Sequence, residues 1–171
     1  MNSQKWFDKK FRFQLSHDDY EAVLSKLGEN PEKISHLVLL LPVEILTKKV
    51  DNRWSVQENV GHLIDLEELH TCRIDDFITG EKMLRPADLN NRKTDEANHN
   101  SKNIDELLKE LKLVRENFIN RMKNLDKEIL TRSSIHPRLN QPMRPRDMAQ
   151  FVLKHDEHHI ETIKELIKKI Q

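Results

Sequence analysis

Apolar side chains recur at steps of three and four residues in four stretches of this chain. Nowhere do they alternate between tight turns as a half-buried strand would. The first stretch follows Asn30-Pro31, where Asn can cap a helix and Pro suits its first turn. It carries Ile34, Leu37, Val38 and Leu41 up to Pro42. A shorter helix, about Asp18 to Leu27, is expected to precede it and to stop near Gly28. The second stretch has the clearest start. In Ser55-Val56-Gln57-Glu58 the serine hydroxyl and the glutamate carboxylate can each satisfy the other's free backbone amide. Its stripe is Val60, Leu63, Leu66, Ile74 and Phe77, and Gly80 is a natural stop. A polar segment from Glu81 to about Lys102, with Pro86, Asn90, Asn91, Asn98 and Asn100, reads as a long connection that crosses the bundle. The third helix opens with the cap-like Asn103-Ile104-Asp105-Glu106 and continues through Leu107, Leu111, Val114, Phe118 and Leu125. A second irregular segment, Thr131 to Pro145, holds three prolines. The fourth helix then runs from about Arg146 to Ile170, with Met148, Val152, Ile163, Leu166 and Ile170 on one face. Four amphipathic helices with one or two long crossover connections predict an all-α four-helix bundle without a sheet. No repeat or linker divides residues 1–171, so one domain is expected, with its core bundle over about 20–170.

Composition narrows the function classes. Basic and acidic residues number 29 each, so no basic excess advertises a nucleic-acid partner. The longest apolar run, Leu37 to Val43, is too short to cross a bilayer and is broken by Pro42. Met1 to Asp19 contains no continuous apolar core of a secretory signal, and a single cysteine, Cys72, cannot form an internal disulfide. A cytoplasmic location is the expectation. Cys72 reads as a small helix residue rather than a nucleophile.

Candidate chemistry lies in the histidines, of which there are nine. Stepping by three and four from Met148 gives Val152, His155, His159, Ile163 and Leu166, so His155 and His159 occupy consecutive core positions. Four residues apart on a helix, they lie about 40° and about 6 Å from each other, within reach of one ion. His158 shares a row with Thr162 and Glu165 and is expected at the edge of the site or in solvent. Buried imidazoles require partners, either polar groups of the core or a metal. A third ligand would come from the second helix. His70 lies near the centre of its apolar stripe and His62 at the edge, so helical phase favours His70. His17, His36, His99 and His136 are isolated in the sequence, and each reads as a surface residue or a support for a ligand rather than as a ligand.

Trp54-Ser55, then Glu58, then Gly61-His62-Leu63-Ile64-Asp65-Leu66-Glu67 resembles the second helix of the DinB-like superfamily, which includes YfiT-like metal-dependent hydrolases. Phe151 through His159 is similar to the last helix of that family. Leu27 to Leu46, with Pro31 and Pro42-Val43-Glu44, looks like the entry to these bundles. The resemblance spans roughly Tyr20 to Ile167. It implies a four-helix bundle of right-handed crossing topology, often a homodimer, with Zn²⁺ or Ni²⁺ held by three histidines. The matching positions are His62, His155 and His159, so the resemblance selects His62 where helical phase favours His70. Three protein nitrogens leave a coordination position open, as in catalytic sites, and imidazole suits zinc and nickel about equally.

The activity implied is that of an enzyme acting on a small-molecule substrate, with a low-molecular-weight thiol as nucleophile in a bacillithiol- or mycothiol-dependent S-transferase. The alternatives are a hydrolase activating water and a metal-binding bundle without turnover. Catalytic helpers are weakly indicated. Glu58 and Asp65 stand one turn either side of His62, Asp156 and Glu157 flank His155, and His136, Arg138 and Arg144 could meet an anionic group. Loss of metal is expected as pH falls through about 6, because protonated imidazole cannot ligate. Trp6, Phe7, Phe11 and Phe13 form an N-terminal aromatic set without an assigned partner.

Overall fold

The computed structural model describes Trp6, residues 9–13 and residues 15–171, apart from the side chains of His17 and Asp18. Phe7 and the His17 side chain lie outside the described residues. Helix α1, His17–Val38, starts at Ser16, whose hydroxyl accepts from the Asp19 amide. It runs unbroken through Gly28 and Pro31, so the two helices expected there are one. An internal proline removes a backbone donor and costs about 3 kcal/mol in a free helix. Here Pro31 is itself buried and continues a stripe of Tyr20, Leu24, Leu27, Ile34 and Val38, none more than 2% exposed. Burial against neighbouring helices outweighs the local penalty. Asn30 is a core residue rather than a cap, and its Nδ2 donates to Asp156 Oδ2 at 2.9 Å.

A short α2, Val43–Leu46, leads to α3, Val56–Thr79. The Ser55/Glu58 capping box is formed, and Gly80 closes the helix in the left-handed conformation at φ 75°. The polar segment after α3 is not bare loop. It contains α4, Arg92–Glu96, and a short 3-10 turn, His99–Ser101, each entered through a left-handed asparagine, Asn91 and Asn98. Asparagine tolerates that conformation better than most residues. Helix α5, Ile104–Lys123, is capped by Asn103 as expected, and α6, Lys127–Thr131, follows. The Thr131–Pro145 segment departs from the all-helical expectation. Strands β1, Ser134–His136, and β2, Gln141–Met143, pair antiparallel, and β1 also bridges Met83 in parallel. Three-residue strands are too short to show alternation. Helix α7, Pro145–Ile170, completes the chain.

Among the long helices α3 packs on α5 and α7, and α1 packs on α5 and α7. The order around the bundle is therefore α1, α5, α3, α7. The connections α1 to α3 and α5 to α7 each span a diagonal. The Glu81–Lys102 connection, expected to cross the bundle, instead joins neighbours, and α4 and the 3-10 turn pack back onto α3.

The core has two apolar clusters, one around Leu24, Phe77, Phe118 and Val152, the other around Ile34, Val60, Leu111 and Ile163. Between them every long helix contributes to one polar layer. Buried Arg115 is 3.1 Å from Glu67 and donates to Asp156 at 2.9 Å, and His70 pairs with Glu67 at 3.0 Å. Trp6, Phe11 and Phe13 pack on their own chain, Trp6 and Phe11 directly against Phe151. No described helix is long and apolar enough to cross a membrane.

Candidate metal centre

The side chains of α3 and α7 meet across a cleft of about 1430 Å³. The α7 stripe turns His155 and His159 inward, as their spacing predicts, at 6% and 7% exposure. Nearer the centre of the α3 stripe, His70 also lines this cleft, but it is held by Glu67 with its ring 6.2 Å from that of Phe118 on α5. The edge of the stripe faces α7, and that edge carries His62. One potential ligand nitrogen from each of His62, His155 and His159 lies within 4.8 Å of the others, and all three residues are buried. Helical phase measures distance from the stripe's centre, whereas convergence on His155 and His159 depends on which ring of α3 lies opposite them on α7. This is why phase pointed to His70.

Hydrogen bonds fix two of the three tautomers. The Thr94 hydroxyl donates to Asp65 Oδ2 at 2.8 Å, so it can only accept from His62 Nδ1, 3.0 Å away. Asn59 donates its amide nitrogen to the Ser55 carbonyl at 2.7 Å, which leaves Oδ1 to accept from His159 Nδ1 at 2.8 Å. Both rings therefore carry their proton on Nδ1 and keep Nε2 bare. His159 Nε2 lies 3.2 Å from His155 Nε2. Adjacent nitrogens around a tetrahedral zinc at about 2.0–2.1 Å are about 3.3 Å apart. His155 Nδ1 is buried and meets no partner among the described residues. The imidazoles are held neutral. Burial pushes the His62 pKa down to about 4, and burial together with the neighbouring histidines pushes His155 and His159 well below the ordinary value. Three neutral imidazoles with at least two converging lone pairs are the donor set a divalent transition metal takes.

The support extends beyond the ligands. His99, from the 3-10 turn, places Nε2 2.8 Å from Asp65 Oδ2. Burial disfavours the Asp65 carboxylate, but hydrogen bonds from His99 and Thr94 outweigh it and hold its pKa below the usual value. His99, Asp65, Thr94 and His62 thus form one chain of contacts. The ring of His99 sits directly over Gly61, where a Cβ would fall 2.2 Å from its Cγ. Trp54 covers His62 at 4.5 Å between ring centroids, and Trp6 covers His155 at 4.8 Å. Sequence reasoning missed Asn59 and Thr94, and it left His99 undecided between the surface and a supporting place behind a ligand. A glycine inside a helix, Gly61, was the available signal of a close approach.

Other expected helpers sit elsewhere. Glu58 accepts from the Ser55 amide at 2.8 Å and pairs with Lys49 at 2.8 Å, so its carboxylate serves the helix start. Asp156 is committed to Arg115 and Asn30, and Glu157 pairs with Lys154 in solvent. Arg144 pairs with Asp147 at the start of α7 and does not line the cleft. His136 and Arg138 do line it. His158 stands at the edge, half-buried and stacked on Trp6 at 5.8 Å.

Comparison with known proteins places this arrangement. The chain is similar over 95% of its length to YfiT from Bacillus subtilis, described as a probable metal-dependent hydrolase with an unusual four-helix bundle topology. The TM-score is 0.82 at 22% identity, and 93% of that chain is covered. A mycothiol-dependent maleylpyruvate isomerase also matches, with a TM-score of 0.67 at 10% identity over 86% of this chain and 62% of that one. At these identities the likeness is one of fold. Curated proteins yield no match. The profile of the DinB superfamily matches residues 26–163, most of the sequence, and the chain belongs to that superfamily.

Proposed function

We propose that His62, His155 and His159 hold one divalent transition-metal ion, zinc or nickel, and that the cleft is the active site of a low-molecular-weight-thiol S-transferase. The observation that carries the metal reading is the convergence of buried, neutral imidazoles whose outer nitrogens are tied to Thr94 and Asn59. When bound, the ion supplies a Lewis acid that lowers the pKa of a coordinated thiol or water toward neutrality. Asp65 and Thr94 hold His62 in the ligating tautomer, and Asn59 does the same for His159. Trp54 and Trp6 cover the imidazoles and exclude water from them, which strengthens local electrostatics. Leu66, Leu69 and Phe151 give the cleft apolar walls for an organic substrate. In the transfer, the thiol proton passes to solvent, the sulfur bonds to an electrophilic carbon, and the bond from that carbon to the leaving group breaks, the leaving group departing with the bonding electron pair.

The thiol is favoured because a solved structure of this fold belongs to a mycothiol-dependent enzyme. The description of YfiT favours water as nucleophile instead, and this is the second reading. Elemental analysis of the purified protein should find about one metal per chain. A screen of bacillithiol, mycothiol and cysteine against alkyl halide electrophiles, with ester and amide hydrolysis run in parallel, separates the two activities. Metal without turnover in either arm refutes the enzymatic reading, and absence of metal refutes the site.

A further inference from the structure

Beyond Phe151 the cleft wall turns cationic. Arg73 on α3 is 2% exposed, and its Nε and one terminal nitrogen both donate to the Arg85 carbonyl, at 3.0 and 2.9 Å. Its other terminal nitrogen points at His136 Nε2, 3.4 Å away. His136 Nδ1 accepts from the Leu139 amide at 3.2 Å, so the neutral ring carries its proton on Nε2. Two donors therefore face each other with no acceptor between them. The nearby carboxylate of Asp76 is occupied by the Arg85 guanidinium, at 2.6 Å, and by the Arg85 amide, at 2.9 Å. Among the described residues no carboxylate lies within ion-pair distance of Arg73. Arg138 adds a second guanidinium on the same wall, 5.8 Å from the Phe151 ring and 5.9 Å from Trp6.

The electrostatics agree with this geometry. Burial pushes the Arg73 pKa down to about 10, opposed by Asp76 and reinforced by Arg138 and Arg85. Burial, then Arg73 and Arg138, push His136 down to about 3. A buried positive charge that shares its nearest carboxylate with another arginine is incompletely balanced, and an anion that pairs with it relieves the cost.

We infer that Arg73, His136 and Arg138 form a carboxylate subsite at the far end of the cleft, so that the substrates of this site are small organic acids. Two donors 3.4 Å apart suit the two oxygens of one carboxylate, each taking one hydrogen bond. The His136 ring packs on Phe151 at 5.1 Å, and Phe151 precedes His155 by one helical turn. The carboxylate would thus sit on the order of 10 Å from the three histidines. Apolar Leu69 and Phe151 line the stretch between. That this is a substrate subsite rests on the active-site reading above, but anion binding itself needs no metal.

The test uses full-length, chelator-treated protein and two probes of one shape, 3-phenylpropionate and its uncharged amide, followed by NMR titration. The acid should bind about tenfold or more tightly than the amide, and Arg73→Gln should erase that preference. Arg138→Met keeps the apolar contacts with Phe151 and Trp6 and should weaken the acid several-fold, which covers the case in which Arg73→Gln does not fold. A His62→Ala/His155→Ala double variant should still prefer the acid while binding no metal, so failure of the metal reading is seen separately. Equal binding of acid and amide to the wild-type protein overturns the subsite. So does an unaltered preference in both arginine variants, or inorganic phosphate binding more tightly than the acid.

Discussion

Replacing Thr94 by Val tests whether the support of His62 is functional. The side chain is 3% exposed, and valine fills nearly the same volume without the hydroxyl that links His62 Nδ1, at 3.0 Å, to Asp65 Oδ2, at 2.8 Å. The cavity contribution is therefore small, and the effect comes from the lost hydrogen bonds. Asp65 keeps His99 as a partner, whereas the His62 N–H is left buried with none. An orphaned buried donor costs about 1–3 kcal/mol, which is the loss expected in the unfolding free energy of the metal-free protein. Freed from Thr94, the His62 ring no longer presents Nε2 in a fixed direction. Metal affinity should fall about 10–100-fold, the usual consequence of removing a ligand's hydrogen-bond partner. Competition with a chromogenic chelator reads the affinity, and urea unfolding followed by circular dichroism reads the stability. Thr94→Ser retains the hydroxyl and should stay near wild type on both. A valine variant that matches wild type in affinity and in unfolding midpoint would refute the argument that Thr94 orients His62.

His62→Ala should lose most of the bound metal, whereas His70→Ala, which removes the partner of Glu67 on the α5 side, should retain it. The reverse result in elemental analysis sinks the assignment. Gly61→Ala should destabilise the fold by about 1–3 kcal/mol or prevent folding, since its Cβ would meet the fixed, buried His99 ring at 2.2 Å. An unchanged melting temperature would contradict that contact. For metal-free protein the pH dependence follows from His62 and His136, whose folded pKa values are lowered to about 4 and about 3 by burial first. Below about pH 6.5 the unfolded chain takes up protons that the folded one refuses. Stability should be full above that value and fall as pH drops toward 4, and a flat urea midpoint across this range would exclude it. The same lowering should keep metal bound below the pH of about 6 expected for free imidazole, as metal analysis at stepped pH would detect. A homodimer is expected from the family resemblance, and a monomer mass by light scattering at micromolar concentration would reject it.

The stripes, the caps at Ser55 and Asn103, the stop at Gly80 and the inward pairing of His155 with His159 are local facts. Each depends on residues within one or two helical turns, and each was legible in the sequence. The continuity of α1 through Pro31 was not legible, because the penalty of proline is local while the burial that overrides it comes from helices distant in sequence. The β1–β2 hairpin was invisible for a different reason. Its strands are too short for a period, and β1 also relies on Met83, about fifty residues away. The site divides in the same way. Spacing alone paired the two histidines of α7, and the motif resemblance pointed to His62, but periodicity favoured His70, because which side chain of α3 converges on His155 and His159 depends on how α3 packs against α7. Thr94 and His99 come from a segment whose sequence shows only polarity and asparagines. They reach His62 and Asp65 because left-handed turns at Asn91 and Asn98 fold that segment back onto α3. Periodicity specifies which face of each helix is buried. Which neighbour each face meets, and which side chains converge there, is decided by packing among elements far apart in the chain.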